Sequence, residues 1–231
     1  MKYPKINTIF KRDMEYKGKK KPLLFGDYSQ PEIEYLKDLK WECTEKIDGT
    51  NVRIQITPNI ESKTFNIEFK GKTEEAQLHT GLFKLLSETF TPEVIENSFD
   101  LNKLWWETGD SCTIVIYGEG YGHKIQKCGK RYLPDSFGFI LFDINIANLW
   151  LTRESIEDIS TKMNIKVVPI IGYYTIDEAI EIVKQGFFSK IADDKTLLSE
   201  GLVLRTPNGL LDREGNRIIT KIKSRDFNGN K

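Results

Sequence analysis

A lysine, an aspartate and a glycine lie within four residues of one another at Lys46, Asp48 and Gly49, in the stretch TEKIDGTNVRI. A lysine amine can attack an electrophilic centre, but only its neutral form is a nucleophile. A free lysine with a pKa of about 10.4 is neutral in roughly one molecule in 2,500 at pH 7. A catalytic use of Lys46 therefore requires neighbouring cations that favour the neutral amine.

The same three residues are also an ordinary β-hairpin signal. Asp-Gly is a preferred pair for a two-residue turn, and the lysine beside it would then be a solvated flank. A KxDG match is expected by chance in roughly one chain in twenty of this length, because each of its three residue types has a usage of about 6 to 7%. The motif alone leaves the hairpin and the nucleophile both open.

Four more segments with chemically active side chains follow in order along the chain. Each also has a plain explanation, as a glycine turn, a core strand, a buried strand with charged ends or a wet sheet face. The glycine-rich segment is not a dinucleotide-binding loop, because HKIQKCGK after it does not open an apolar helix. The segments are IVIYGEGYG at residues 114–122 with Glu119, FGFILFDI at 137–144 with Phe142, SEGLVLRT at 199–206 with Glu200, and TKIKSRDF at 220–227 with Lys221 and Lys223.

The elements that would position these residues are strands and a few helices. Helical spacing of apolar residues predicts a helix at residues 77–90, and Thr91-Pro92 predicts the start of a second. Residues 153–163 predict a third, and the capping box from Thr175 to Glu178 opens a fourth that Gly186 ends. Val, Ile, Phe and Tyr enrichment predicts strands at residues 40–46, 51–57, 65–70, 113–117, 137–144, 167–173, 200–206 and 217–223. The pattern predicts an α+β fold built on antiparallel sheets.

Composition and cysteine usage set the broad class of protein. With 231 residues and 39% apolar content, we expect a single domain, residues 1–231, with its own core. Three cysteines without a CxxC pair favour reduced thiols, and with two histidines beside them a structural zinc site is not expected. The sequence has neither a signal peptide nor a run long enough to span a membrane, so we expect a cytoplasmic protein without a membrane partner.

Charge is balanced overall but unevenly distributed. The 34 basic and 34 acidic residues cancel, which excludes a histone-like electrostatic binder of DNA. Basic residues concentrate at residues 1–21, with eight Lys/Arg, and at residues 121–132, with four Lys/Arg and no acid. Such segments can hold phosphates, although a solvated surface explains them equally well.

Taken together and in order, the five motifs resemble those of the covalent nucleotidyltransferases, which comprise DNA ligases, RNA ligases and mRNA capping enzymes. The resemblance covers residues 45–227. Asn51 in KIDGTN and the serine and phenylalanine of KIKSRDF are similar to ATP-dependent RNA ligases of the bacteriophage nick-sealing type. The alternatives are a minimal ATP-dependent DNA ligase, a GTP-dependent capping enzyme, and a nucleic-acid-binding module with the ligase fold and no turnover.

This resemblance implies a fold and a reaction. The fold would be an adenylation domain with the nucleotide pocket between antiparallel sheets flanked by helices. The lysine would attack the α-phosphate of ATP, release pyrophosphate and form lysyl-AMP, with Mg²⁺ or Mn²⁺ as cofactor. AMP would pass to an RNA 5′-phosphate, and a 3′-OH would displace it to seal the strand. The partner is then RNA with such ends; oligomeric state is left open.

The resemblance also implies a role for individual residues. Lys46 would be the nucleophile, Glu119 would bind the ribose hydroxyls and Phe142 would stack on adenine. Glu45 would meet the adenine edge through its backbone. The remaining implied roles are metal binding, directly or through water, by Glu200 and Asp48, phosphate binding by Lys221 and Lys223, and contact with the nucleotide pocket by Asn51 and Arg53.

Two departures from the family pattern bear on function. The family uses an arginine in the strand pair after the first motif, and Lys72 or Lys70 would substitute for it here without the bidentate fork of arginine. Eight residues follow Lys223, so we expect no OB domain and no helical C-terminal domain. Residues 153–198 carry no family motif, and their helices are expected to buttress the sheets. The basic segments at residues 1–21 and 121–132 are the candidates for RNA contact.

Overall fold

The computed structural model describes residues 2–19 and 21–227. The chain forms two compact units, each assembled from segments that are distant in sequence. The first unit comprises Met1–Tyr3 and Asp48–Val168, and the second comprises Pro4–Ile47 and Pro169–Lys231. None of the helices in the described part of the chain is long and apolar enough to cross a bilayer.

The first unit is built on one six-stranded sheet. Its strands are β5 (Thr50–Asn59), β6 (Thr64–Lys70), β7 (Ile114–Gly122), β8 (Phe137–Ile146), β9 (Leu149–Trp150) and β10 (Lys166–Val167). The order is β10-β8-β7-β5-β6, with β9 paired to β8. Every pair is antiparallel except β10 with β8. Val52, Ile54 and Ile56 alternate along β5 and are fully buried, as the two-residue period of a strand requires.

Helices cover this sheet and complete its core. They are α2 (Thr80–Thr89), α3 (Pro92–Ser98), α4 (Gly129–Tyr132) and α5 (Arg153–Lys162), with a π-helix at Asn102–Trp106. Side chains of His79, Thr91 and Thr152 accept hydrogen bonds from the first turns of α2, α3 and α5. Leu82 and Leu86 of α2 pack into the same cluster as the central strands. The apolar spacing of the helices therefore builds the support for the sheet that carries Glu119 and Phe142.

The second unit contains a five-stranded sheet and a small two-stranded one. Its strands are β1 (Asn7–Thr8), β2 (Phe10–Arg12), β3 (Leu23–Tyr28), β4 (Trp41–Glu45), β11 (Ile170–Tyr174), β12 (Gly201–Arg205) and β13 (Ile219–Lys223). The larger sheet has the order β1-β13-β12-β4-β11, and β2 pairs with β3. Only β1 with β13 is parallel among these pairs. Lys46 follows β4, and Lys221 and Lys223 lie on β13.

Two helices and two short 3-10 turns accompany this sheet. They are α1 (Pro31–Tyr35), α6 (Ile176–Gln185), and the turns Pro207–Gly209 and Ser224–Asp226. Helix α6 opens with the predicted capping box of Thr175 and Glu178 and ends at Gly186, whose φ is +79°. Its buried face joins Trp41, Cys43 and Leu202 in the core of this unit.

The α+β prediction is confirmed, and the predicted strands and helices agree closely with the observed ones. The helix predicted at 77–90 begins only at Thr80, because His79 caps its first turn. The single strand predicted at 167–173 is wrong. Val167 belongs to β10 and Ile170 to β11, which lie in different sheets, and Pro169, which has no N–H to donate, separates them.

Several elements were not predicted. They are the first three strands and α1, which precede residue 40, the π-helix, the short α4 and the two-residue β9. Each is five residues or shorter except β3, where Gly26 has φ +86° and interrupts the strand pattern. Elements of this length carry too few apolar positions for a period to be read, so local sequence does not reveal them.

Cys43 provides a test of the second core. Burial in β4 raises the pKa of its thiol to about 12 and leaves the side chain fully buried. Because only the thiolate reacts readily, we expect at most two of the three cysteines to react with an aromatic disulfide reagent in mildly alkaline buffer. All three should react in guanidinium chloride.

The matched control is Cys43→Ala, which should leave the native thiol count unchanged and lower the denatured count by one. Equal reaction rates of all three thiols in the folded protein would contradict the burial of β4.

Candidate active site

The second unit brings three charged side chains into direct contact. Nζ of Lys46 lies 2.5 Å from Oε2 of Glu200, and Nζ of Lys223 lies 2.9 Å from Oε1 of the same carboxylate. The three side chains are 20%, 16% and 15% exposed, in the order Lys46, Glu200, Lys223. One carboxylate thus bridges two ammonium groups in a largely buried position, which leaves the cluster with a net positive charge.

Sheet order explains why these residues meet. Strands β4, β12 and β13 are neighbours, and Lys46 follows β4, Glu200 precedes β12 and Lys223 ends β13. Antiparallel pairing brings the end of one strand to the start of the next, so all three residues lie at one edge of the sheet.

Backbone hydrogen bonds fix this edge. The Lys46 N–H donates to the carbonyl of Gly201 at 2.9 Å, and the Ser224 N–H donates to the carbonyl of Glu200 at 2.9 Å. Gly201 has φ +146°, and a Cβ at this position would collide with the carbonyl oxygen of Ile222. The glycine after Glu200 is therefore required for the close approach of β12 to β13.

The electrostatics of the cluster favour an ionised Glu200. Burial alone would raise the pKa of its carboxyl, but the charges and hydrogen bonds of Lys46 and Lys223 outweigh burial, and the pKa is lowered from 4.5. In this arrangement Glu200 is an anion and a weak base. It holds Lys46 in an ion pair, which must open before the amine can act as a nucleophile.

Lys221 and Glu45, the other two predicted site residues of this unit, lie in different surroundings. Lys221 lies two residues before Lys223, so the alternation of β13 places both on one face, and it pairs with Val203 in register. Glu45 is 2% exposed, and its carboxylate accepts a hydrogen bond from the Lys190 N–H at 2.8 Å. Desolvation raises the pKa of Glu45. Its backbone N–H donates to the Pro169 carbonyl at 3.0 Å, so both the side chain and the N–H of Glu45 have partners inside the unit.

In the first unit, the Asp48–Gly49 turn packs against β7. A Cβ on Gly49 would collide with the carbonyl oxygen of Gly120 and come within 2.7 Å of Cγ of Glu119. Only glycine permits this approach. The Asp48 N–H donates to the Tyr132 hydroxyl at 3.3 Å, and Oδ2 of Asp48 accepts from the Cys128 thiol at 3.0 Å.

Asn51 and Glu119 lie directly opposite each other on β5 and β7. Both are half-buried. Val52, the next residue on β5, lies on the opposite face of the sheet and is fully buried. Opposed residues on neighbouring strands have Cβ atoms about 4.5 to 5.5 Å apart. The amide of Asn51 and the carboxylate of Glu119 therefore offer neighbouring polar groups on one face of the sheet.

Phe142 occupies a bulge in β8. Tyr117 pairs with Asp143 and the next residue, Gly118, pairs with Leu141, so Phe142 is the extra residue on its strand. Bulges change the direction of a side chain, and Phe142 is only half-buried although its neighbours on both sides are buried. Phe142 therefore differs in burial from the core residues on either side of it, and its stacking role stays a prediction.

Tyr3 was not singled out from the sequence. Its hydroxyl donates to Oδ2 of the fully buried Asp143 at 2.6 Å, and its ring packs edge-on against Phe142 with centroids 5.1 Å apart. Tyr117 and Trp150 also contact the Tyr3 ring. No motif marks Tyr3, and its type, a tyrosine within the basic segment of residues 1–21, is the one signal that the sequence offers.

Arg53 lies deeper than expected of a residue that borders a pocket. It is 2% exposed, and its guanidinium donates to the Gly71 carbonyl and to the Glu74 carboxylate at 3.0 and 2.9 Å. Lys70 lies within 3.6 Å of the same carboxylate, whereas Lys72 is exposed. Arg53 and Lys70 thus both contact the loop after β6, and the nucleotide roles of Arg53, Lys70 and Lys72 stay predictions.

A divalent cation fits this donor set only as a hydrated ion. Among the described residues, no group of three or more His, Cys, Asp or Glu side chains could form a protein cage for a metal. Mg²⁺ usually keeps several waters and takes one or two carboxylates together with substrate phosphates. Glu200 in the second unit and Asp48 in the first each offer one such carboxylate, so the predicted metal roles are chemically consistent with the residues present.

The bridging carboxylate leads to a pH-dependent stability. We expect Glu200→Gln to lower the free energy of unfolding at neutral pH by roughly 1 to 3 kcal/mol, because two partly buried ammonium groups lose their anion. Since the folded-state pKa lies below 4.5, this stabilisation is complete above 4.5 and is lost as the pH falls below that value. Urea unfolding of the wild type and of Glu200→Gln, from neutral pH to below pH 4.5, measures this difference in the free energy of unfolding.

The matched control is Glu181→Gln, which removes an exposed carboxylate paired with Lys184 on α6 of the same unit. Its effect should be a few tenths of a kcal/mol at neutral pH. Equal effects of the two substitutions would contradict the bridging role of Glu200.

Comparison with solved structures establishes the fold. RNA ligase of Naegleria gruberi with PPi superposes with a TM-score of 0.59 at 19% identity, covering 97% of this chain and 62% of that chain. Mutants of the same protein with AMP and Mn, and with ATP and Mn, each give a TM-score of 0.57 at 20% and 18% identity. They cover 85% of this chain and 53% and 52% of those chains, so the present chain spans about half their length.

Sequence comparison gives the family. No curated protein sequence matches the chain. The model of the RNA ligase family, however, matches residues 39–223, which include the KxDG turn, the Glu119 strand, the Phe142 bulge and the Lys46–Glu200–Lys223 cluster. Since this match covers most of the 231 residues, the chain belongs to the RNA ligase family.

Proposed function

We propose that this protein is an ATP-dependent RNA ligase in which Lys46 forms a lysyl-AMP intermediate. The observation that carries the proposal is the contact of Lys46 with Glu200 and Lys223 at one edge of a sheet. A solvated hairpin flank would leave the lysine exposed, whereas this one is 20% exposed between charged partners. Membership of the RNA ligase family supports the same assignment.

In the first step a bond forms between Nζ of Lys46 and the α-phosphorus of ATP. The bond from that phosphorus to the bridging oxygen breaks, and pyrophosphate leaves with the electron pair. Lys46 loses its protons to solvent, because Glu200, with its lowered pKa, is a weak base. Lys223, on the second oxygen of Glu200, keeps the cluster at a net positive charge, which suits an anionic substrate.

The same cluster suits the charge of the leaving group. Lys223, and Lys221 on the same face of β13, supply cations that would hold the phosphates of ATP. A hydrated Mg²⁺ or Mn²⁺ at Glu200 would add positive charge at the α-phosphate. Asp48 of the first unit is a separate candidate ligand. The Naegleria structures with ATP or AMP and Mn support a nucleotide and a divalent metal as cofactors.

Adenosine would be held by residues of the first unit. We assign the ribose hydroxyls to Glu119, with Asn51 opposite it, and stacking on adenine to Phe142. The bulge turns Phe142 out of the core, and Tyr3 fixes its ring by an edge-on contact. Tyr3 is thus a positioning residue in this proposal. The backbone of Glu45 is the candidate for the adenine edge.

The later steps act on RNA. AMP would pass to a 5′-phosphate, forming a new phosphoanhydride, and a 3′-OH would attack that 5′-phosphate and release AMP. The three free cysteines favour a reducing, cytoplasmic setting, and RNA repair in a bacterial or phage-infected cell is the role that the motif resemblance suggests. Asn51 favours RNA over DNA as the substrate, and the minimal DNA ligase stays the second candidate.

Covalent labelling tests the first step. Incubation with α-labelled ATP and Mg²⁺ should leave acid-labile label on the denatured protein. Lys46→Arg should give no detectable adduct, a loss of at least about a thousandfold, because a guanidinium keeps the positive charge but is never neutral near pH 7. Chelation of the metal should also abolish labelling, and Glu200→Ala should fold without labelling.

Lys184→Arg is the matched control, since it makes the same change at an ion-paired lysine of α6 in the same unit. It should label like the wild type. Label from GTP instead of ATP would favour a capping enzyme, and no label from either nucleotide would favour a binding module without turnover. Sealing assays on nicked RNA and nicked DNA duplexes then separate the two ligases.

Phe142 tests the adenine assignment. Base–aromatic stacking is worth about 1 to 3 kcal/mol, so Phe142→Ala should raise the ATP concentration for half-maximal adduct formation roughly five- to a hundredfold. The maximal yield should change less.

The matched control is Phe83→Ala, which removes a phenyl ring that is 48% exposed on α2 of the same unit. If both variants require the same ATP concentration as the wild type, Phe142 does not stack on the base.

A further inference from the structure

A basic segment follows the Glu119 strand in the first unit, at residues 123–131, and it has a defined conformation. It comprises a loop and the first three residues of α4, and is called the basic loop below. Ile125 inserts into the core and is 5% exposed. The His123 N–H donates to the Ser136 carbonyl at 2.8 Å, and the Ile125 N–H donates to the Gly122 carbonyl at 3.0 Å. Lys124 and Gln126 both have positive φ, +61° and +57°. The loop is therefore anchored at its start and directs its lysines outward.

The loop also holds the Asp48–Gly49 turn. Nε2 of Gln126 donates to the Gly49 carbonyl at 2.9 Å, and the Cys128 thiol donates to Oδ2 of Asp48 at 3.0 Å. Tyr132, at the end of α4, accepts from the Asp48 N–H and is 1% exposed. Three side chains from one short segment thus fix the turn that lies two residues along the chain from Lys46.

The outward face of the loop carries uncompensated positive charge. Lys124, Lys127 and Lys130 are exposed, and none of them forms an ion pair with any residue that the structure describes. Lys84, Lys103 and Lys162 of the same unit are neutralised, since each lies within 4 Å of a carboxylate three or four residues away. Lys63, Lys72 and Lys166 are exposed without an ion pair among the described residues, but they are isolated in sequence, whereas the three lysines of the loop lie within seven residues. The loop is therefore a local cationic surface in a chain whose net charge is zero.

We propose that residues 123–131 bind the phosphates of the RNA strand on which the enzyme acts, through Lys124, Lys127 and Lys130. This inference rests on the proposed ligase function. The three lysines recur at every third residue, and three exposed point charges suit an extended polyanion. A site for the triphosphate of ATP would instead bury its lysines, as Lys46 and Lys223 are buried at 20% and 15% exposure.

The other basic segment of the sequence is a weaker candidate. Lys11 pairs with Asp27 at 2.6 Å and Arg12 with Asp226 at 2.7 Å, while Lys21 donates to the Met14 carbonyl. Lys20 lies outside the described residues. Lys11 and Arg12 are therefore neutralised, whereas Lys2, Lys5, Lys17 and Lys19 are exposed and form no ion pair among the described residues. Charge alone does not separate the two segments, and the choice between them rests on position. The basic loop contacts the Asp48–Gly49 turn, which belongs to the KxDG motif that contains Lys46.

The test compares a loop variant, Lys124→Ala/Lys127→Ala/Lys130→Ala, with a charge-matched control, Lys84→Ala/Lys103→Ala/Lys162→Ala. Fluorescence anisotropy measures binding of a 5′-phosphorylated oligoribonucleotide at several salt concentrations. The loop variant should bind roughly tenfold or more weakly, and the slope of log K against log salt should fall by about 2, since each lost phosphate contact removes about 0.7. The control should bind like the wild type.

Adduct formation from ATP without RNA separates this inference from the proposed function. If the wild type forms no AMP adduct, the ligase proposal fails while the RNA comparison still tests the loop. If the wild type forms the adduct and the loop and control variants bind RNA equally, the loop assignment is overturned. A loop variant that needs more ATP for adduct formation but binds RNA normally also overturns it, since the loop would then hold ATP.

Discussion

The contact of one carboxylate with two ammonium groups is the constraint on which the rest of this site depends. Glu200 holds Lys46 and Lys223 at the edge of a sheet, where all three are at least four-fifths buried. Without the anion, two like charges would be desolvated side by side, which is costly. With it, Lys46 is held in an ion pair at the end of β4. In the proposed reaction this pair must open before the amine can attack, because only a neutral amine is a nucleophile.

In the proposed function the two units would have different roles. The second unit would supply the reacting amine and the cations for phosphate, positioned by three adjacent strand ends. The first unit would supply the groups for a nucleoside, namely the opposed pair Asn51 and Glu119 and the bulged Phe142. A bulge costs one unpaired residue in the ladder, and here it turns a phenyl ring out of a core strand. The KxDG motif joins the units along the chain, with Lys46 in one and Asp48 in the other.

Two glycines, Gly49 and Gly201, allow close backbone approaches next to the charged residues of the motifs. Gly49 permits the turn to approach β7, and Gly201 permits β12 to approach β13 beside Glu200. In both cases a Cβ would meet backbone, which cannot move aside as a flexible side chain can. The glycines in KxDG and EGLVLR are therefore explained by close approach. Gln126 and Cys128 of the basic loop at residues 123–131, together with Tyr132, add hydrogen bonds to the Asp48–Gly49 turn.

The sequence by itself determined the order of the motifs, the α+β class, most strand and helix positions and the identity of the charged residues. Periodicity and capping are local, so β5, β7, β8, α5 and α6 could be predicted from nearby residues. The sequence did not determine which charges pair. Glu200 is 154 residues from Lys46, and only strand order brings them together. Nor did it reveal Tyr3, which contacts Phe142 and Asp143 some 140 residues away, or the burial of Arg53 against Gly71 and Glu74. These contacts depend on register, on one bulge and on the break at Pro169, which are properties of strands already assembled, and so only the tertiary structure decided them.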